Sequence, residues 1–380
     1  METEGIEVAL LRQNSDLFYF TGTVQDAHLL IPSTGAPCFL VWRSFERALK
    51  ESPLSDLGLI KPLRGLSHFL EMLETLGLKG ARSIGLEFDV LPASLFLFYT
   101  QKAWPEAHFT DISPFIRRLR SIKDDHELDC IRGACTQGHN ALKKVPEILR
   151  PGITELELAS LIEAELRRQG HCGLMRMRIW NQEMGMDQVV SGSSGAIPSW
   201  TNTPVGGSGP HPAFGMGASF KKIRENEVVS VDLGGWHKGY CCDITRPFII
   251  GRPPEVVLDA FNLVKELILL LQSRVSTGVA AGEIYDFAVD YMERAGMSQN
   301  FMGVGSDRVS FIGHGLGIEL DEFPFFSKGN KMVLEQGMVF ALEPKIILPD
   351  YGVIGLEDTY FLEEDGCTRL TLDSQELTVI

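Results

Sequence analysis

Five residues in the C-terminal half of the chain have side chains suited to holding a cation: Asp232, Asp243, His314, Glu343 and Glu357. Each lies in or directly after a short apolar, strand-like run, where a polar side chain is otherwise unexpected. The run Val228–Val231 carries Asp232 into Leu-Gly-Gly, and Asp243 follows soon after in Asp-Ile-Thr-Arg. Gly234, Gly235 and Gly239 between the two acids predict a turn joining two strands. Such a hairpin brings two acids to one place. Burying two unpaired carboxylates together is costly, so a cation is the natural explanation. Four carboxylates and one imidazole suit a pair of hard or borderline divalent cations, because a carboxylate can bridge two ions. A structural zinc would instead call for cysteine or histidine in a closed tetrahedron.

Taken singly, each residue has a plainer reading. Asp243 could pair with Arg246, His314 could be a satisfied core histidine, and Glu343 could close its strand before Pro344. All five together in apolar contexts are hard to explain that way. Cys241 and Cys242 lie in the same hairpin, and as small residues of a packed strand they need no role as ligands.

The elements that must position these residues follow a repeated order. Asp124 and Glu127 have capping-box spacing and predict a long helix to Val145; Thr154 and Glu157 predict a second, to Gln169. Strand-like segments and the central hairpin come next. Helices are then predicted over Val256–Val275 and Gly282–Ala295. Strands follow over Val309–Ile312, Met338–Leu342, Lys345–Leu348, Val353–Leu356 and Thr359–Leu362. Two helices followed by sheet thus occurs twice, an order that favours an α+β layout with helices on one side of a curved, mostly antiparallel sheet. The first 115 or so residues read as a compact α/β unit, with strands at Leu17–Thr21, Ala27–Ile31, Cys38–Trp42 and Ser83–Phe88 and helices at Ser67–Leu76 and Pro92–Tyr99. No cluster of histidine, cysteine or carboxylates stands out there, so a supporting or dimerising role is expected. Arg117, Arg118, Arg120 and Lys123 form a basic patch at the junction, read as a solvated helix face or a contact with the acidic body.

At 380 residues two domains are expected. A net charge of −15 argues against nucleic acid or an anionic membrane surface as partner. The acidic start, Met-Glu-Thr-Glu, is not that of a secretory signal, and the longest aliphatic run, Leu267–Leu271, is far short of the ~20 residues that cross a bilayer. Seven cysteines without a Cys-x-x-Cys pattern are expected to be reduced, in a cytoplasmic protein.

The same residues carry a resemblance. Val-Asp-Leu-Gly at Asp232, Asp-Ile-Thr-Arg at Asp243, Gly-His-Gly-Leu-Gly at His314, Ala-Leu-Glu-Pro at Glu343 and Gly-Leu-Glu-Asp-Thr at Glu357 resemble, in order, the five metal-ligand motifs of the pita-bread metallohydrolases. That superfamily includes aminopeptidase P, prolidase, methionine aminopeptidase and creatinase. Arg120-Ser-Ile-Lys123 with Asp125-His-Glu127, and Arg150 to Glu155, are similar to the opening of the catalytic domain of aminopeptidase P and prolidase. The resemblance implies a creatinase-type α/β domain over residues 1–118 and a pita-bread catalytic domain over 119–380. It implies two divalent metals, manganese first, with cobalt, zinc or iron also suited. Asp232 would be bidentate to one ion, Asp243 and Glu357 would bridge, and His314 and Glu343 would complete the other site. A hydroxide bridging the ions would attack the amide of a short Xaa-Pro peptide, with Glu343 accepting the water's proton. Proteins of this type are often homodimers.

The surroundings depart from the prolyl peptidases. Their second histidine, seven residues after the ligand histidine, is here Asp321, and an earlier histidine slot falls on Ser199 or Trp200. His211, in the Gly/Pro-rich stretch Asn202–Gly217, could serve in its place. The stretch from Trp200 to Gly217 is expected to lie over the site. Gly355 stands where the family favours arginine. Glu343, His211 and Asp321 are therefore the candidate catalytic residues. Two other readings remain open: a creatinase-like enzyme or lyase acting on a non-peptide C–N bond, and a non-enzymatic binding protein on the same fold. Five intact ligand positions count against the second.

Overall fold

The computed structural model describes residues 4–380; Met1, Glu2 and Thr3, at the acidic start, lie outside the described residues. The chain divides into two compact units, Met1–Leu119 with Arg178–Asn181, and Arg120–Met177 with Gln182–Ile380.

The first unit runs β1 (Val8–Leu11), α1 (Asn14–Thr21), β2 (Ala27–Pro32), β3 (Cys38–Val41), α2 (Phe45–Glu51), β4 (Ile60–Pro62), α3 (Leu66–Thr75), β5 (Ser83–Leu86), α4 (Ala93–Phe98), β6 (His108–Asp111) and α5 (Ser113–Ser121), in whose last turn the division falls. Its strands form one mixed sheet in the order β4-β3-β2-β1-β5-β6. Apolar clusters centred on Phe69, Tyr99 and Trp104, and on Leu17, Phe39 and Ile112, fill its core. The expected strand at Leu17–Thr21 is instead helix α1. The Gln13 side chain accepts from the N–H groups of Ser15 and Asp16, and Gly22 closes the helix at φ 72°. A short apolar run carries no periodicity long enough to separate the two outcomes, and the cap decides it. The unit also gathers carboxylates that are scattered in sequence. Arg178 donates to Asp16 at 2.8 Å and to Asp89 at 2.6 and 3.0 Å.

The second unit begins with α6 (Asp125–Leu142), α7 (Val145–Ile148) and α8 (Glu155–Arg168), then β7 (Asp187–Ser191), β8 (Val228–His237) and β9 (Tyr240–Ile249). Next come α9 (Glu255–Arg274) and α10 (Ala281–Arg294), β10 (Phe311–Gly315), β11 (Glu322–Ser327), β12 (Val339–Leu342), β13 (Lys345–Leu348), β14 (Gly352–Gly355), β15 (Asp358–Glu363), β16 (Gly366–Arg369) and β17 (Thr378–Val379). Sheets of order β17-β9-β8-β7 and β11-β10-β12-β15-β16, with the β13-β14 pair, are antiparallel except where β17 joins β9. Leu158, Ile162 and Leu166 of α8 pack with Val229, Val231 and Ile244 of the first sheet. Val264, Ile268 and Leu271 of α9 and Ala288 of α10 pack with Ile312, Phe340 and Tyr360 of the second. This is the α+β layout expected from the element order. Both predicted helix starts are capped. Asp124 and Glu127 form the full reciprocal box. Thr154 accepts from Glu157 N–H, while the Glu157 carboxylate turns to Arg150 at 3.4 Å.

The central hairpin turns at Lys238-Gly239 alone, both at positive φ, with His237 paired to Tyr240. Gly234 and Gly235, expected in that turn, lie inside β8. They are small for reasons of space: a Cβ on Gly235 would stand 2.1 Å from the Ala134 carbonyl oxygen of α6.

Two buried ion networks tie the strands. The Glu155 carboxylate accepts from Ser191 N–H at 2.7 Å and from Ser219 N–H at 3.1 Å, holding both ends of the segment that contains the Gly/Pro-rich stretch. Arg120 and Lys123 of the basic patch are buried. Arg120 pairs with Glu319 at 3.0 Å and with Glu322, and Lys123 reaches Glu322 at 3.1 Å. Glu322 also accepts from the N–H groups of Ile318 and Glu319 at 3.0 and 3.1 Å, so it organises the turn that carries Asp321.

Burial disfavours the Glu322 charge, but Arg120, Lys123 and the Glu319 N–H outweigh it and lower its pKa from 4.5 to about 2. A carboxylate depressed in the folded state contributes fully above pH 4.5 and loses its contribution as pH falls toward 2. The shift corresponds to roughly 3 kcal/mol. Glu322→Gln should therefore melt well below the parent at pH 7, with the gap narrowing as the pH is lowered toward 3. Melting curves across that range, showing a constant gap, would remove Glu322 from this role.

Candidate metal centre

The site is built on one face of the β8–β9 hairpin. Asp232 is paired with Thr245, and Gly234 with Asp243. Residues directly opposite, and residues two apart on one strand, share a face of an antiparallel pair. Asp232, Gly234, Asp243 and Thr245 thus point the same way. Gly234 leaves room on that face for Met175, whose Cε would lie 2.4 Å from a Cβ there.

The second sheet supplies the remaining groups. His314 sits in β10, paired with Ala341 of β12. Glu343 directly follows β12 and donates its N–H to the Ile312 carbonyl at 2.9 Å. Glu357 directly precedes β15. It exchanges backbone hydrogen bonds of 3.2 and 3.3 Å with Thr245, joining the two sheets at the point where their acids meet. Arg246 locks that junction. Its guanidinium donates to the carbonyls of Thr245 (2.9 Å), Glu357 (2.8 Å) and Ser374 (2.8 Å) and to the Asp358 carboxylate (2.6 Å). Asp243 therefore does not pair with Arg246; the arginine serves Asp358.

Three of the five candidate ligands, Asp243, His314 and Glu357, bring donor atoms within 4.8 Å of one another, and Glu343 reaches the same histidine nitrogen. His314 Nε2 lies 3.7 Å from Asp243 Oδ2, 3.7 Å from Glu343 Oε1 and 3.9 Å from Glu357 Oε1. These separations are too long for hydrogen bonds. Donors about 2.1 Å from one ion stand about 3 Å apart at right angles and about 4.2 Å apart across it, which brackets them. Among the described residues, Asp243, His314 and Glu357 are the group whose donor atoms could hold a metal ion. Glu357 Oε1 is buried with no hydrogen-bond partner among the described residues. An unpartnered buried carboxylate oxygen is expensive, and a divalent cation among these donors would satisfy it. The residues present therefore fit such an ion.

Sequence reasoning missed Lys345. Its Nζ lies 2.7 Å from Glu343 Oε2, 2.7 Å from Glu357 Oε2 and 3.3 Å from Asp232 Oδ2, and its side chain is 1% exposed. The signal was present: a lysine two residues after Glu343, opening the apolar strand Lys345–Leu348. Thr245 was also missed; its hydroxyl donates to Glu357 Oε2 at 2.7 Å.

The electrostatics show surplus negative charge. Burial, with Glu357 and Asp232 adding, pushes Asp243 well above the usual carboxylate range. Burial also raises Asp232, and lifts Glu343 to about 7 against the pull of Lys345. Burial works against the charge of Glu357, but Lys345 and His314 outweigh it and hold that pKa low. Burial likewise opposes protonation of His314, and Asp321, Glu343 and Glu357 outweigh it.

Asp321 lies beside the ring, with Oδ1 3.4 Å from His314 Nδ1, held at a left-handed φ of 62°. His211 is not brought to the site. It is exposed, accepts from Ala213 N–H at 3.1 Å and pairs with Phe214, all within its own loop. Thr201–Pro204 of the same stretch do line the cavity over the acids. Close backbone packing folds the rest away: a Cβ on Gly206 would lie 1.8 Å from the Ile197 carbonyl oxygen. The enclosed space over the acids is about 60 Å³ and opens to solvent. Met175, Met177, Met184 and Met186 give it an adaptable apolar wall beside Gln182, Asp187 and Gln188.

Comparison with known proteins agrees along the whole chain. The sequence model of metallopeptidase family M24 matches residues 129–364, and that of the creatinase/prolidase N-terminal domain matches residues 1–122. The chain is similar to an Xaa-Pro dipeptidase of Pyrococcus furiosus, with 26% identity over 380 residues covering 99% of this chain and 97% of the relative. It is also similar to a probable dipeptidase of Mycobacterium tuberculosis, with 28% identity over 311 residues, 78% of this chain and 74% of the relative. Among solved structures, the Xaa-Pro dipeptidase from Bacillus anthracis has a TM-score of 0.84 at 26% identity, covering 100% of this chain and 96% of its own. The prolidase from Pyrococcus horikoshii has a TM-score of 0.83 at 25% identity, covering 99% and 97%.

The junction that Arg246 holds gives a stability prediction. Arg246→Met leaves the Asp358 charge buried and its guanidinium partners unpaired, so it should cost about 3–5 kcal/mol. Lys265→Ala, which breaks the more exposed pair with Glu376, should cost under about 1 kcal/mol. Urea unfolding of the two variants gives the comparison; equal losses would show that Arg246 does not brace the junction.

Proposed function

The chain belongs to metallopeptidase family M24, and on that premise we propose that it hydrolyses the amide bond preceding proline in short peptides. The family implies a divalent metal. Asp243, His314, Glu343 and Glu357 would hold it, with manganese the first choice and cobalt, zinc or iron also suited to oxygen donors with one imidazole. The observation that carries the reading is the grouping of donor atoms of Asp243, His314 and Glu357 around the buried, unpartnered Glu357 Oε1 in the wall of the cavity over the acids. When bound, such an ion polarises a carbonyl and lowers the pKa of a water.

The protein's own groups account for the rest. Glu343, whose Oε1 faces the gap beside His314, is the carboxylate placed to accept a proton from water and return it to a leaving nitrogen. The Gly315 carbonyl, 3.2 Å from His314 Nδ1, and Asp321 Oδ1, at 3.4 Å, together would fix which ring nitrogen faces the acids. In this reading Asp321 is a positioning residue and Glu343 is the group that accepts the proton. Gln182 Oε1, Asp187 Oδ2 and Gln188 Nε2 are buried, line the cavity and have no partner among the described residues. They are the groups that polar atoms of a peptide would engage. The seven cysteines are unpaired, which supports a reducing, cytoplasmic setting. No helix among the described residues is long and apolar enough to cross a membrane.

One observation favours the creatinase-like alternative: His314 is the only histidine lining this cavity among the described residues, so a second imidazole is not at hand for the leaving amine. A substrate panel separates the readings. With manganese or cobalt added, Xaa-Pro dipeptides should be cleaved and matched peptides without proline should not. Cleavage of small amidines, with every Xaa-Pro peptide left intact, would transfer the assignment to non-peptide C–N bonds. Asp243→Ala should lose both bound metal and turnover while keeping its circular dichroism; full metal content by elemental analysis would refute the ligand assignment. Gln188→Leu should raise KM about tenfold, the loss of one hydrogen bond, with kcat little changed. A fall in kcat at constant KM would remove Gln188 from substrate binding.

A further inference from the structure

We infer that Lys345 is a built-in cation that takes the place of a second metal, so that the centre binds one divalent ion rather than two. The inference rests on the metallopeptidase reading above and refines it.

An ammonium group has three N–H donors and no acceptor. Lys345 Nζ meets three carboxylate oxygens: Glu343 Oε2 and Glu357 Oε2 at 2.7 Å each and Asp232 Oδ2 at 3.3 Å. Its capacity is filled by groups drawn from three separate strands or strand ends. Each of the two glutamates then has one oxygen left. Glu343 Oε1 and Glu357 Oε1 are the atoms that, with Asp243 Oδ2, lie 3.7 to 3.9 Å from His314 Nε2. The two glutamates therefore stand between an ammonium on one side and a single cation position on the other. Asp232, the acid expected to serve a metal of its own, faces the lysine instead.

The backbone is shaped for this arrangement. Lys345 is paired with Gly355 across β13 and β14. A Cβ at Gly355 would lie 2.5 Å from Lys345 Cγ and 3.3 Å from its Cβ, so the missing side chain makes the channel in which the lysine stem lies. Gly355 is not at positive φ, so space, not backbone conformation, explains the glycine. With the side chain 1% exposed, the ammonium cannot turn out to water without rebuilding the sheet. A second divalent ion at Asp232 would stand at short range from the ammonium that Asp232 Oδ2 meets at 3.3 Å, where like charges repel.

The test counts ions. Protein stripped with chelator is dialysed against manganese, and bound metal per chain is measured by elemental analysis and by electron paramagnetic resonance. Wild type should hold one manganese with the six-line spectrum of an isolated ion. Lys345→Ala, which removes the charge and opens the space, should hold two, with the broadened spectrum of a coupled pair. Two ions per wild-type chain, or one in a folded Lys345→Ala, would overturn the inference while leaving the peptidase reading intact. No bound ion in wild type, together with no Xaa-Pro cleavage, would overturn both. The wild-type count needs no variant, so an unfolded Lys345→Ala does not rescue the proposal.

Discussion

Four carboxylates enclosed in one small volume are the constraint on which the rest of this unit depends. Asp232, Asp243, Glu343 and Glu357 come from a hairpin and from two strand ends far along the chain. Left to themselves they would repel one another and drive the strands apart. The neighbourhood is built to prevent this. The Thr245–Glu357 backbone pair closes the seam between two sheets. Arg246 spans the same seam and is neutralised by Asp358 on its far side, so the seam is braced without a positive charge reaching the acids themselves. Further out, Arg120 and Lys123 hold Glu322, and Glu322 holds the turn that brings Asp321 to His314. Each layer fixes the next inward, and the innermost layer is left with an excess of negative charge that selects for a cation.

Much of this was legible in the sequence, because the acids break the pattern of apolar strands that surround them. A carboxylate in or after an apolar strand run has few structural uses, and four of them with one histidine, in order, mark a candidate centre. Helix caps were equally readable where the cap is local, as at Asp124 and Glu127. Features that depend on tertiary contact were not. Gly234 and Gly235 resemble turn residues until Met175 and the Ala134 carbonyl are seen against them. Helix α1 looks like a strand until Gln13 caps it. Asp16 and Asp89 are ordinary acids until Arg178 returns to pair with both. His211 attracted attention because a histidine in an irregular loop near a metal motif is a reasonable candidate, yet its loop folds on itself through glycines and proline and leaves the ring in solvent.

Lys345 was overlooked for a different reason. A lysine after a Glu-Pro pair reads as a strand-edge charge bound for solvent, the fate of most lysines. Its actual place follows from alternation along the chain, which puts it on the same side as Glu343, and from Gly355 across the ladder, which leaves space for its stem. Neither residue explains the other in sequence, since the pairing between β13 and β14 that relates them is visible only in the fold. Gly355 departs from the family pattern, and the space it leaves is taken by the Lys345 stem. Seen together, they form one feature.

A covalently attached cation differs from a bound one in a way that matters for folding. A metal stabilises the native state only as far as its free concentration exceeds its dissociation constant, and then with the logarithm of that ratio. An ammonium carried on β13 is present at full effect from the moment the sheet forms. With Lys345 in place, Asp232 and one oxygen each of Glu343 and Glu357 are satisfied before any metal arrives. The acids that remain for the ion are then positioned by the protein, not gathered by the metal. A centre holding one ion, as proposed, would trade the symmetric polarisation that two ions provide for a scaffold whose shape does not depend on metal supply. On that reading Glu343 would be the group on which chemistry turns, because one of its oxygens is held by the lysine while the other is directed at the gap beside His314.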